Sequence, residues 1–142
     1  MKLVVDTNIL VSAFLWQGTP GRLVEMAGEK ECYLFTSRVL LDELADVLQR
    51  KKLAKQVQAT GLSAAQLLRN YQKLATTITA RRLAQQVSRD LDDDAVLACA
   101  LAARADLIVS GDADLLVLKQ FQGMRIVTPA QALKMIGGQT NN

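Results

Sequence analysis

Histidine is absent from this chain of 142 residues. Without an imidazole, Ser-His-Asp and Cys-His nucleophile systems, imidazole-based RNA cleavage and His-ligated zinc are all excluded. Any hydrolysis must therefore run on carboxylates, hydroxyls, lysines or a metal held by oxygen ligands. Cysteine is nearly as scarce. Cys32 and Cys99 are far apart, share no CxxC spacing and sit in apolar runs, which marks them as buried, reduced core thiols. Long hydrophobic runs are missing too: the longest, Ala95 to Ala103, is about half of what a bilayer requires. Lys2 is followed by only three apolar residues before Asp6, too few for an export signal. A cytoplasmic protein is expected.

Negative charge is absent from one long stretch. No Asp or Glu occurs from Val47 through Arg89, while nine basic residues fall there: Arg50, Lys51, Lys52, Lys55, Arg69, Lys73, Arg81, Arg82 and Arg89. The net charge is only +3, so the remainder of the chain is acidic. A basic middle between acidic ends suits a polyanion held near a cation-binding centre, although a solvated helical surface gives the same pattern.

What is present describes an ordinary globular protein, with 50% hydrophobic and 22% charged residues. A chain of this length buries roughly two-thirds of its unfolded surface and needs no staple. It fits one domain, here residues 1–137, with a flexible C-terminal tail at 138–142.

Strand and helix signals alternate. Lys2 to Val5 is a continuously apolar, β-branched run, as expected of a parallel strand buried on both faces. Tyr33 to Phe35, Leu107 to Val109 and Arg125 to Val127 repeat that signal, the last as an edge strand. Helices are predicted from Arg22 to Gly28, from a Thr36 or Ser37 cap to about Arg50, from the Ser63–Gln66 capping box to Leu74, and from Thr128-Pro129 to about Ile136. A short helix is expected over Arg81 to Val87, and a helix buried on every side over Ala95 to Ala103. Repeated β-then-α order implies an α/β fold with a parallel sheet, whose sites form at the carboxyl ends of its strands.

Acids stand at those ends. Asp6 follows the first strand and Asp112 follows Leu107 to Val109, a pairing that opposes ionisation unless a cation intervenes, or else caps two helices. Asp92, Asp93 and Asp94 precede the all-apolar helix, where one cap explains only one of them. Glu43 lies about 60° from Leu40 on its helix, at the border of the apolar stripe, either on the solvated flank or aimed into a pocket. Together these acids make a cluster that requires metal. Oxygen-only ligation suits Mg²⁺ or Mn²⁺, and such an ion beside a basic surface is equipment for phosphodiester hydrolysis.

Four segments, in order, then carry a resemblance: Val5-Asp6-Thr7-Asn8, Leu40-Leu41-Asp42-Glu43-Leu44, Asp94-Ala95-Val96-Leu97-Ala98-Cys99-Ala100-Leu101, and Ile108-Val109-Ser110-Gly111-Asp112-Ala113-Asp114. The chain resembles PIN domains from Lys2 to about Ile136, in particular the bacterial PIN-family toxin components of toxin–antitoxin pairs. The resemblance implies a three-layer α/β/α fold with a parallel sheet of four or five strands and an Mg²⁺- or Mn²⁺-dependent endoribonuclease. It implies Asp6, Glu43, Asp94 and Asp112 as the catalytic, metal-binding quartet, with Asp114 a supplementary ligand. Thr7, Asn8, Ser110 and Asp93 would hold water or orient those acids, and the triple aspartate leaves the third position open between Asp93 and Asp94. Arg50, Lys51, Lys52, Arg81 and Arg82 would hold the RNA backbone. Implied partners are RNA, a cognate antitoxin and a second copy of the chain, with the apolar Ile9 to Trp16 region as the self-association surface. The competing reading is a catalytically weak PIN-fold module that binds RNA or protein. An aspartyl-nucleophile phosphatase is disfavoured because Asn8 stands where its second acid would be.

Overall fold

The strand β1 (Lys2–Val5) lies inside a six-stranded sheet in a computed structural model that describes residues 1–140. From it the chain forms α1 (Thr7–Leu15) and α2 (Gly18–Gly28), then β2 (Tyr33–Ser37), which pairs parallel to β1. Next come α3 (Arg38–Leu48), a 3-10 turn at Lys51–Leu53, α4 (Ala54–Ala59) and α5 (Ala64–Leu74), leading to β3 (Thr76–Ile78) beside β2. An irregular run over 79–90 precedes α6 (Leu91–Ala103), which returns the chain to β4 (Leu107–Val109) on the other side of β1. The fold closes with α7 (Ala113–Leu116), β5 (Gln120–Phe121), β6 (Met124–Val127) and α8 (Pro129–Thr140).

The sheet order is β3-β2-β1-β4-β6-β5, parallel throughout except for the β5–β6 hairpin. The expected four or five strands are therefore six. The expected edge strand is also corrected: β6 pairs with β4 on one side and β5 on the other. The last helix runs to Thr140, three residues into the expected tail, and Asn141 and Asn142 lie outside the described residues.

Side chains that alternate along the strands build two cores, one on each face of the sheet. Leu3, Val5, Leu107 and Val109 join Leu23, Leu44, Leu48 and Ile136 on one face, beneath α1, α2, α3, α5 and α8. Val4, Ile108 and Ile126 meet Val96, Leu97, Cys99 and Ala100 of α6 on the other. The result is the expected three-layer arrangement. Cys32 belongs to the first core and Cys99 to the second, so the sheet separates the two free thiols.

The predicted caps are in place. Ser37 Oγ accepts the Leu40 N–H at 3.4 Å, and Ser63 and Gln66 form a complete capping box at the start of α5. Among the described residues no helix is long and apolar enough to cross a membrane.

Candidate metal centre

β1 sends the chain to β2 on one side, while β4 lies on the other, so the strand order reverses between β1 and β4. At such a switch point the outgoing loops diverge and leave a crevice at the carboxyl ends of the strands. Asp6 leaves β1 there and Asp112 follows β4. The Asp6 N–H donates to the Val109 carbonyl at 2.9 Å, which fixes the two strand ends against each other. Ser110, fully buried, bridges the acids: its hydroxyl donates to Asp6 Oδ2 at 2.9 Å and accepts the Asp112 N–H at 2.9 Å.

The third acid comes from α6. That helix starts one turn earlier than expected, with Asp90 Oδ1 capping the Asp92 N–H at 2.9 Å. The earlier start places Asp93 at i, i+3, i+4 and i+7 with Val96, Leu97 and Ala100, all fully buried, so its carboxylate follows the face packed on the sheet. Asp6, Asp93 and Asp112 each offer an oxygen, and these three atoms lie within 4.8 Å of one another.

Asp94, expected in that position, points elsewhere. Its two oxygens accept the backbone N–H groups of Val87 (3.0 Å) and Ser88 (2.7 Å), clasping the end of the irregular run to α6. The clasp has a partner role: Ser88, missed in the sequence, donates its hydroxyl to Asp93 Oδ2 at 3.2 Å. It also explains why Arg81 to Val87 is not the expected helix. Donors that would serve a helix go to the Asp94 carboxylate, and the Gln86 amide bonds the Ser88 and Arg89 carbonyls at 2.7 and 3.3 Å.

The other expected residues divide. Glu43 faces the site from α3, half-buried, with Thr7, Asp92 and Asp6 nearby. Asn8 is exposed, in the first turn of α1. Asp114 stands outside the triad, its Oδ1 paired with Arg89 Nη2 at 3.2 Å. Arg81 and Arg82 border a cleft of about 500 Å³ that reaches Asp92 and Asp94. Arg50, Lys51 and Lys52 instead follow the C-terminal end of α3, whereas the cleft takes Ser37 and Val39 from its N-terminal end. The basic segment is thus split into two groups along that helix.

The acids oppose one another's ionisation. Burial, reinforced by the Asp112 and Asp6 carboxylates, pushes Asp93 up to about 7 against the Ser88 hydrogen bond. Burial and the charge of Asp92 push Glu43 up to about 7 as well. Burial also raises Asp6, offset in part by the Ser110 hydroxyl and raised further by Asp112. A convergent, oxygen-only set whose members resist becoming anionic together fits a hard divalent cation, whose charge removes the repulsion.

No curated protein matches the chain. Its fold is similar to that of VapBC2 from Rickettsia felis bound to a DNA fragment from their promoter, with a TM-score of 0.58 and 17% identity over 89% of this chain and 97% of that one. The T. brucei RRP44 PIN domain is a more distant likeness, with a TM-score of 0.48 and 14% identity over 98% of this chain and 83% of that one. The model of the PIN domain family matches residues 2–114, which hold the whole acid cluster, and the chain belongs to that family.

Proposed function

We propose that this PIN domain is an Mg²⁺- or Mn²⁺-dependent endoribonuclease of the cytoplasm, acting as the toxin of a toxin–antitoxin pair. The observation that carries the reading is the meeting of Asp6, Asp93 and Asp112 oxygens within 4.8 Å at the strand-order reversal. These three carboxylates would hold the cation, with Glu43 approaching from α3 as the fourth acid. When bound, the ion supplies Lewis acidity, which acidifies water and offsets charge growing on the phosphate.

The chain's own residues do the rest. Ser110 holds Asp6 and the Asp112 backbone in fixed relation, and Ser88 orients Asp93. With no histidine in the chain, the attacking water would lose its proton to one of these carboxylates or to solvent. Arg81 and Arg82 hold the RNA backbone beside the acids, and Arg50, Lys51 and Lys52 extend that contact along α3. Asp114, paired with Arg89, would be the supplementary ligand that the sequence resemblance implies. The antitoxin partner is supported by the sequence resemblance and by the fold shared with VapBC2.

The test is cleavage of single-stranded RNA by homogeneous protein. Wild type should cut with Mg²⁺ or Mn²⁺ and fall silent in chelator, and Asp112→Asn should lose cutting while keeping RNA affinity. Persistent cleavage by Asp112→Asn would sink the assignment. Tight RNA binding without cutting, at demonstrated metal occupancy, would make the chain a binding module.

A further inference from the structure

The ion pairs among the described residues are of two kinds. Arg22 with Glu25 and Glu29, Arg38 with Asp42, and Arg50 with Asp46 lie along a single helix or at its end, where helical spacing alone brings partners together. Arg89 with Asp114 instead joins the irregular run to α7, 25 residues away in sequence, so only the tertiary fold can make it. That pair stands at the rim of the acids. Ser88, next to Arg89, donates to Asp93 Oδ2 at 3.2 Å, and the Asp114 N–H donates to Asp112 Oδ1 at 2.8 Å. Contacts therefore run from Asp93 through Ser88, Arg89 and Asp114 to Asp112, and the ion pair is their middle link. Among the described residues none of Asp6, Asp93 and Asp112 has an ion-pair partner of its own.

We propose that Arg89 is a resident counter-charge that sets the affinity of the metal centre, competing with the divalent cation for the negative charge of the acids. The inference rests on the metal-centre reading above and adds to it a control on ion affinity. Like charges repel, so a guanidinium held at the rim opposes a divalent cation at the triad. The hold is also easily given up. The Arg89 side chain is 90% exposed and that of Asp114 42%, and an exposed pair contributes little. The guanidinium has one weak contact to break before it turns out into solvent. The backbone of the run keeps its own anchors meanwhile, because Asp94 accepts the Val87 and Ser88 N–H groups. Loading the centre then takes a higher ion concentration than its carboxylates alone would set. A second role is conceivable for the same pair, a brace that keeps Ser88 on Asp93, and it carries the opposite sign: loss of a brace weakens ion binding, whereas loss of a competitor strengthens it.

Mn²⁺ binding by the full chain, read from the electron paramagnetic resonance signal of the free ion, tests this without RNA or cleavage. Arg89→Gln should bind Mn²⁺ about fivefold tighter than wild type, the upper range for one exposed charge interaction. Arg89→Lys keeps the charge and should stay within about twofold of wild type. In an Asp114→Asn background the arginine has lost its anchor, so adding Arg89→Gln should change the affinity less than about twofold. Arg22→Gln removes an exposed cation on α2 and, as the control for net charge, should leave binding unchanged. Circular dichroism melts confirm that each variant folds. Unchanged Mn²⁺ binding by Arg89→Gln overturns the counter-charge, and weaker binding overturns it in favour of the brace. A fivefold effect that survives in the Asp114→Asn background also overturns it, since Arg89 then acts without the pair. If wild type binds Mn²⁺ no better than Asp6→Asn, the metal centre itself fails, and the counter-charge with it.

Discussion

The acid-bearing sheet edge and the acid-free segment from 47 to 89 are built on different principles. Asp6, Ser110 and Asp112 hang from paired strand ends, and Asp93 from a helix whose inner face is fully buried, so packing on both sides fixes their positions. The basic segment mixes short helices, the three-residue β3 and the irregular run that carries Arg81 and Arg82, and its nine cationic side chains are all exposed. Ligands for a small ion need positions fixed to fractions of an ångström, whereas a surface for a charged polymer gains from side chains that adapt. The join between the two is Asp94, which clasps the irregular run to the helix holding Asp93.

That contrast is sharpest in paired aspartate variants. Asp93→Asn should reduce cleavage by about 10³-fold or more, because it removes an oxygen from the converging set. Asp94→Asn should cost about 10- to 100-fold, the usual range for a group that orients a ligand rather than being one. It should also lower stability by about 1–3 kcal/mol, because it weakens two backbone hydrogen bonds to a charged acceptor. Single-turnover cleavage alongside thermal melts measures both, and a greater catalytic loss for Asp94→Asn would exchange the roles of the two aspartates.

Divalent cation should next separate the two regions by stability. Mn²⁺ at about a hundred times its Kd adds about 2.7 kcal/mol, on the order of 10 °C in Tm for a domain of this size. Asp6→Asn should remove most of that shift, while Arg81→Gln/Arg82→Gln should leave it intact. Equal metal responses in wild type and Asp6→Asn would dissolve the proposed site.

Proton binding gives a second effect of the same origin. The ordinary values near 4.5 for Glu43 and 3.8 for Asp93 are both raised to about 7 in the folded chain. The folded state therefore keeps protons that the unfolded state releases, and the sign follows: stability falls as pH rises from about 4 to about 7, then levels off. In chelator, Tm should be higher at about pH 5.5 than at about pH 7.5, and saturating Mn²⁺ should flatten the difference. A metal-free Tm that rises over that interval would contradict the opposed carboxylates. The smallest change lies on the basic side. Arg81→Gln/Arg82→Gln should reduce the slope of log binding constant against log salt by about 1.4, at about 0.7 per phosphate contact. The Arg50→Gln/Lys51→Gln/Lys52→Gln variant tests whether the other end of α3 takes part, and an unchanged slope would remove it from the RNA surface.

Much of this was legible in the residues because burial on two faces leaves a simple mark. β1, the Tyr33 to Phe35 part of β2 and β4 stand out as apolar runs, and α5 and α8 begin at cap residues that bond as their spacing requires. β3 escaped because Thr76 and Thr77 are exposed, although four consecutive residues from Thr76 to Thr79 include three threonines and an isoleucine, a β-branched run. β5 escaped because its hairpin turns on Gln122 and Gly123 at φ of 49° and 84°. Glutamine in that left-handed region carries none of the signal of Asn-Gly. The third acid was obscured by the helix start. Reading α6 from Ala95 favours Asp94, whereas reading it from the Asp90 cap puts Asp93 in register with Val96, Leu97 and Ala100. Ser88 left no trace in sequence, since its role depends on a loop folded back by Asp94.

The short outer strands have a consequence for how copies of this chain meet. β3 offers three residues and β5 only two, so the sheet terminates on both sides in edges too brief to template another strand. Cross-β seeding and strand exchange between copies are closed routes at these edges. Self-association, if light scattering finds it, has to run through helix surfaces, and Trp16, 57% exposed where α1 ends, is where substitution by a polar residue should be tried first.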